Sequence, residues 1–183
     1  MIHESNTSAL AKAPAILREG KRRSNWLEPD VEYERRVQEF AWSQQELVAP
    51  FARRVAELGE RIALAQTLLK LTCPGVPDIY QGDELESLNL VDPDNRRPVD
   101  WEARRRALAD PPPKLRLIRD VLARRVGGSY EPVDAGQDVC AFVRGGQHLV
   151  AVPLRASAEF EPPRGWREVM GLPAVHLLER VRA

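Results

Sequence analysis

The run RIALAQTLLKL at residues 61–71 is apolar on nearly every side, and Pro74 and Gly75 stop it soon afterwards. A helix that is hydrophobic all round is a buried one, so this segment predicts an interior around which the rest of the chain is laid. Pro77 follows, and the residue before a proline is driven out of the α region. The chain is therefore predicted to run extended through Val76, Ile79 and Tyr80. A buried helix feeding a short buried strand that ends in a polar loop is the α/β arrangement, in which sites lie at strand C-terminal ends. The polar loop here is dense in chemistry, with Asp92, Asp94, Asn95, Arg96 and Arg97 close together.

The flanking segments read as supports. Residues 1–24 are polar and mixed and are expected to be a flexible N-terminal segment, its basic group at Lys21, Arg22 and Arg23 a solvated surface. Asp30 is placed to cap a helix whose first turn holds Glu32 and Glu34. Tyr33, Val37, Phe40 and Ala41 follow the spacing of one helix face, which leaves Glu34, Arg35, Arg36 and Glu39 to the other. A second run, Leu47, Val48, Phe51, Val55 and Leu58, keeps that spacing across Pro50, so a break is expected before Pro50 and a cap at Gly59. After Trp101 a strongly charged stretch ends in Pro111, Pro112 and Pro113, read as a stiff linker. Leu115, Leu117, Ile118, Val121, Leu122 and Val126 then predict a helix up to Gly127 and Gly128. Short extended runs follow, at Val139, Ala141 and Val143 and at residues 149–152, parted by Gly145 and Gly146 as a hairpin signal. The expected organisation is thus 1–24 flexible, 25–110 a helical region carrying the polar loop, 111–127 a linker helix and 128–183 a small antiparallel β domain, an α+β chain.

Composition excludes several functions. The chain has 183 residues, 43% hydrophobic and 30% charged, with Lys+Arg and Asp+Glu balanced at 27 each. That is an ordinary globular balance, with no electrostatic footprint for a nucleic-acid partner or an anionic membrane. No stretch is long and apolar enough to span a bilayer, and the N-terminus lacks the order of a signal peptide. Cys73 and Cys140 have neither metal spacing nor the density of a disulfide scaffold, which fits a reducing cytoplasm. His3, His148 and His176 lie in separate regions, so no metal is assigned, and no phosphate loop or nucleophile–base series implies a cofactor. Arginine supplies nearly all the positive charge, the lysines being Lys12, Lys21, Lys70 and Lys114.

Two readings of the loop compete on residue chemistry. Its carboxylates, amide and guanidinium forks suit multidentate recognition of vicinal sugar hydroxyls. On composition alone, a salt-bridged surface loop is the more economical reading, since Asp-Pro-Asp-Asn is also turn chemistry. Asp78, Asp83 and Glu84 invite comparison with the carboxylate pair of glycoside hydrolysis, but capping or arginine pairing is the expected role of each.

The run LAQTLLKLTCPGVPDIYQGDE followed by LVDPDNRRPVDW resembles the C-terminal part of the maltooligosyl trehalose synthases, (1→4)-α-D-glucan 1-α-D-glucosylmutases of the α-amylase superfamily. The preceding SNWLEPDVEYERRVQEF resembles that family's Trp-x-x-Pro-(Asp/Asn) helix start, and the likeness extends from about residue 14 to at least 155. The resemblance implies a (β/α)₈ barrel enzyme that turns the reducing-end α-1,4 linkage of a maltooligosaccharide into an α,α-1,1 linkage by retaining transglycosylation. It further implies that residues 76–80 are the eighth barrel strand, that 81–84 form its rim, and that Tyr80, Gln81, Asp92, Asp94, Asn95, Arg96 and Arg97 contact glucose units. Asp83 departs from the pattern, standing where many relatives have Thr after Tyr-Gln-Gly. The family's Asp nucleophile, Glu acid/base and second Asp lie on earlier strands, so no catalytic residue carries over. A barrel of this kind takes about 250 residues, so the expected fold is one or two strands and helices from the end of an incomplete barrel, followed by the β module.

The resulting expectation is a C-terminal fragment of such a synthase, inactive alone, which binds maltooligosaccharide and whose 61–72 helix seeks the missing barrel portion or a second copy. Two alternatives remain. One is a stand-alone maltooligosaccharide-binding or accessory protein; the other is a helical interaction protein with no sugar role.

Overall fold

The structure is a computed structural model that describes residues 13–87, 98–155, 157–172 and 174–181. Among these, five helices precede five strands: α1 (Ala13–Glu19), α2 (Val31–Ser43), α3 (Gln45–Thr72), α4 (Trp101–Ala107), α5 (Pro113–Arg124), β1 (Tyr130–Val133), β2 (Val139–Arg144), β3 (His148–Pro153), β4 (Trp166–Leu172) and β5 (Val175–Arg180). The chain divides into two compact units, Met1–Arg54 with Ser87–Val99 and Val55–Glu86 with Asp100–Ala183. The division falls within α3.

In the first unit Asp30 caps α2 as its position predicts, its Oδ1 accepting from the Tyr33 N–H at 2.9 Å. Tyr33, Val37 and Ala41 are half-buried. Two positions depart from the expected faces: Phe40 is 67% exposed, while Glu34, expected outside, is buried. The cause is Arg18 on α1, whose Nε and Nη2 donate to Oε1 and Oε2 of Glu34 at 2.9 and 2.8 Å, while the Ser24 hydroxyl also donates to Oε1. A carboxylate leaves water only when its charge is matched. The Arg18 hydrogen bonds hold the Glu34 carboxyl below the usual carboxylate range against the opposing effect of burial.

The helix break comes at Gln44, whose N–H bonds the Ala41 carbonyl at 3.3 Å, rather than just before Pro50. Pro50 lies in the second turn of α3, where it forfeits a single hydrogen bond to the carbonyl four residues back. Gly59 does not end the helix either. A Cβ there would meet nothing within 4 Å, and an interior glycine costs about 1 kcal/mol, too little to break a helix anchored further along.

That anchoring belongs to the second unit. Leu64, Thr67, Leu68, Leu71 and Thr72 are buried, but Ile62 is 56% exposed and Ala63 is exposed, so the 61–71 run is buried along one face and not all round. Its partners are Leu117, Ile118 and Val121 of α5 and the sheet residues Phe142, Val150, Val152, Met170, Leu172, Val175 and Leu177. The sheet is antiparallel throughout, in the order β1-β2-β3-β5-β4. Side chains alternate across it: Val143, Leu149 and Leu178 point away from the helices and pack with Val133, Phe160 and Trp166. The hairpin between β2 and β3 turns at Gly145 and Gly146, at φ 54° and 66°. A Cβ on Gly145 would sit 2.6 Å from the Gly127 carbonyl oxygen, so only glycine fits there. The prolines at 111–113 do more than link. Pro113 occupies the first turn of α5, where its missing N–H is no loss, and the helix stops at Arg125 in the left-handed conformation, ahead of Gly127.

Residues 76–80 carry no regular secondary structure and pair with no strand among the described residues, and Val76, expected in a buried strand, is 97% exposed. The expected barrel strand is therefore not a hydrogen-bonded strand in this structure. A strand is defined by ladder bonds to a neighbour, and among the described segments none supplies them.

Candidate functional site

The second unit presents a polar turn, residues 80–86, at the end of the segment that leaves α3. The helix end is secured first. Thr72 Oγ1 donates to the Leu68 carbonyl at 2.7 Å, and Cys73 N–H to the Leu69 carbonyl at 2.8 Å. Arg144 at the end of β2 donates Nη1 to the Thr72 carbonyl at 2.7 Å. A cation at a helix C-terminus is favoured by the unpaired carbonyls and the helix dipole. Arg144 is itself only 7% exposed and bonds the Gly128 carbonyl through Nη2 at 3.1 Å. Nearby, burial and the Cys140 thiol push the Cys73 thiol above its usual value, with Arg144 acting in the opposite direction.

From Tyr80 the chain turns back on itself. The Asp83 N–H bonds the Tyr80 carbonyl at 2.9 Å, and Gly82 at the third position has φ 80°, as a type II turn requires. Tyr80 is 49% exposed and Gln81 is exposed, whereas Gly82 is buried. Three cations grip the turn from within the unit. Arg104 of α4 donates Nη2 and Nε to the Gly82 carbonyl at 2.5 and 3.2 Å, and Nη1 to the Asp100 carbonyl at 3.2 Å. Lys114 of α5 reaches Asp83 Oδ1 at 3.3 Å and the Leu85 carbonyl at 3.4 Å. Lys70 of α3 lies 4.0 Å from Asp83 Oδ2. Asp100 in turn caps α4, its Oδ1 accepting from Ala103 N–H at 2.8 Å. Glu84 holds a buried Oε2 without a hydrogen-bond partner among the described residues.

Of the residues expected to meet a glucan, the structure sets Tyr80 and Gln81 side by side on the solvent face of this turn. Asp92, Asp94, Asn95, Arg96 and Arg97 lie outside the described residues. Asp83, expected to cap or to pair with an arginine, is ion-paired with Lys70 and Lys114 among the described residues. Arg104 and Lys114 had no individual signal in sequence. The one available clue was scarcity, since two of the four lysines, Lys70 and Lys114, converge on Asp83. Among the described residues no three His, Cys, Asp or Glu side chains gather to hold a metal ion, and no helix is long and apolar enough to cross a membrane. The arrangement can offer an aromatic ring, a carboxamide and a rigid main-chain turn to a polar ligand.

No protein-family model matches the sequence. The chain is 42% identical over 159 residues to a Mycobacterium tuberculosis protein named as a maltooligosyl trehalose synthase, a match covering 76% of this chain and 20% of that protein, and the same match recurs in a second strain. An amylopullulanase of Thermoanaerobacterium saccharolyticum is 37% identical over 93 residues, 51% of this chain and 7% of that enzyme. Among solved structures, a maltooligosyl trehalose synthase superposes with a TM-score of 0.74 at 24% identity, over 90% of this chain and 29% of its own. That of Sulfolobus tokodaii superposes with a TM-score of 0.75 at 23% identity, over 97% of this chain and 29% of its own. At those identities the structures speak for the fold, and the sequence match speaks for the family. The chain spans about a fifth of the length of the curated relatives it matches. In sequence over three quarters of its length, and in fold over nearly all of it, the chain belongs with the maltooligosyl trehalose synthases, whose C-terminal part it matches.

Proposed function

We propose that this chain forms part of the glucan-binding wall of a maltooligosyl trehalose synthase, works in the cytoplasm on maltooligosaccharides, and has no glucosylmutase activity by itself. The observation that carries the reading is the 42% identity over 159 residues. It is supported by the turn 80–86, which holds Tyr80 and Gln81 outward on a base gripped by three cations. In this reading Tyr80 supplies apolar contact for a pyranose face and Gln81 an amide for its hydroxyls, joined by Asp92, Asp94, Asn95, Arg96 and Arg97. Residues 61–72 and 76–80 are the last helix and strand of the (β/α)₈ barrel, and the missing ladder partners of 76–80 are that barrel's neighbouring strands. The catalytic Asp, Glu and Asp stand on earlier strands of the whole enzyme. The free thiols of Cys73 and Cys140 suit a reducing compartment.

Two measurements test this. Calorimetric titration of the purified chain with maltoheptaose is expected to give binding that Arg96→Ala weakens at least several-fold, by loss of a charge-assisted hydrogen bond; absence of heat for the wild-type chain removes the sugar-binding role. Incubation with maltopentaose is expected to give no trehalose-ended product. Genuine turnover would sink the assignment of catalysis to residues elsewhere.

A further inference from the structure

Arg104 makes a set of contacts that neither capping nor surface solvation accounts for. It lies 22 residues from Gly82 in sequence, yet two of its nitrogens, Nη2 at 2.5 Å and Nε at 3.2 Å, converge on the Gly82 carbonyl. Its remaining arm, Nη1, is tied to the Asp100 carbonyl at 3.2 Å. A guanidinium is planar and its donors are fixed relative to one another. With one edge held by Asp100, at the start of α4, the other edge determines where the Gly82 carbonyl must sit. Gly82 is the third residue of the turn whose first two residues are Tyr80 and Gln81, and its φ of 80° leaves the turn a single backbone solution. The orientation of Tyr80 and Gln81 is thereby coupled to Arg104. Lys114 restrains the far side of the same turn through Asp83 and the Leu85 carbonyl. A lysine ammonium is a point charge on a flexible stem, so it holds the turn down without orienting it.

We propose that Arg104 is a positioning residue: its guanidinium sets the Tyr80–Gln81 turn in the geometry in which those two side chains meet a glucan. This deepens the sugar-binding reading above and rests on it for the identity of the ligand. Contacts to a sugar depend on sub-ångström placement of supporting groups, so loosening this turn costs affinity without removing any group that touches the ligand.

The experiment compares the wild-type chain with Arg104→Ala, Arg104→Lys and Lys114→Met. Hydrogen exchange of the peptide covering residues 80–87 is measured first, because it needs no ligand. The Asp83 amide, bonded to the Tyr80 carbonyl, is expected to exchange about tenfold faster or more in Arg104→Ala, while the β2 and β3 amides keep their rates, since local opening is distinct from global unfolding. Calorimetry with maltoheptaose is expected to show affinity about tenfold weaker or more in Arg104→Ala. Arg104→Lys is expected to restore little of either, because an ammonium on a flexible stem does not hold its acceptors in the fixed planar relation that a guanidinium imposes, and Lys114→Met to have the milder effect on both. Unchanged exchange at residues 80–87 in Arg104→Ala overturns the proposal. So does faster exchange with unaltered affinity, or full rescue by lysine, which would make the role one of charge. If the wild-type chain binds no glucan, the sugar reading fails, and the exchange result still decides whether Arg104 sets the turn.

Discussion

Arg144 carries a positive charge into the interior of the second unit, and its described partners are main-chain carbonyls, those of Thr72 and Gly128. Its Nε is buried without a partner among the described residues. Such a group is held because it satisfies the last carbonyl of α3, that of Thr72, and the Gly128 carbonyl, which otherwise would be orphaned in an apolar setting. Arg144→Ala is expected to lower the stability of this unit by about 2–3 kcal/mol, since it removes two charge-assisted hydrogen bonds and strands both acceptors. Chemical denaturation followed by circular dichroism measures this, and a loss too small to resolve would mean that water replaces the guanidinium. His148, at the start of β3, gives a pH signature. Burial, the largest effect, pulls its pKa below the ordinary histidine value, aided by Arg124 and opposed by Glu179. The folded chain therefore resists a proton that the unfolded chain accepts at about pH 6.5. The contribution of His148 to stability is fully present above that value and is lost as pH falls through it toward the lower folded pKa. Melting temperatures taken between about pH 7.5 and pH 5.5 are expected to fall more steeply for the wild type than for His148→Gln. Parallel slopes would show that His148 titrates normally.

At the scale of elements, the legible features are those that depend on neighbouring residues alone. Asp30 followed by Glu32 and Glu34 announces a helix start, and the start is there. Gly145-Gly146 between two apolar alternating runs announces a hairpin, and β2 pairs with β3 around it. Pro50 misleads because its steric rule is local while the helix around it is not. Buried Leu64, Leu68 and Leu71 anchor α3 from its far end, and a continuous helix loses little by omitting a single hydrogen bond near its start. Glu34 misleads in the opposite way. Its charge reads as surface, but Arg18, sixteen residues earlier, takes it inside. The candidate site divides along the same line. Pro74, Gly75 and Pro77 make the end of the helix visible in sequence, whereas Tyr80 and Gln81 enter the candidate site only through the family resemblance. Arg104, by contrast, sits in a run of three arginines and is distinguished from Arg105 and Arg106 only by a contact 22 residues away. No residue pattern encodes that choice.

For the molecule as a whole, the second unit keeps its core on one side of α3 and leaves the other side open. Val55, Leu58 and Ile62 recur at helical spacing and are each about half exposed, at 48%, 48% and 56%. Leu58 and Ile62 line a groove of about 260 Å³, shared with Leu69 and with Val152 and Leu154 beyond them. An apolar strip beside a groove marks a surface made to be covered. Under the function proposed above, the cover is the part of the synthase that this chain does not match, about four fifths of the length of the curated relatives. Purified without it, the chain is expected to associate with itself across the micromolar range, because self-association is the available way to bury the strip. Ile62→Asp is expected to shift the chain to monomer in sedimentation-velocity runs. Its melting temperature should remain near the wild-type value at low concentration, since the side chain already stands in solvent and most of its burial energy is not part of the fold. A wild-type chain that stays monomeric at all concentrations would mean that the strip is covered from within. An Ile62→Asp chain that melts well below wild type when both are monomeric would place Ile62 in the core of the folded chain instead of on a docking face.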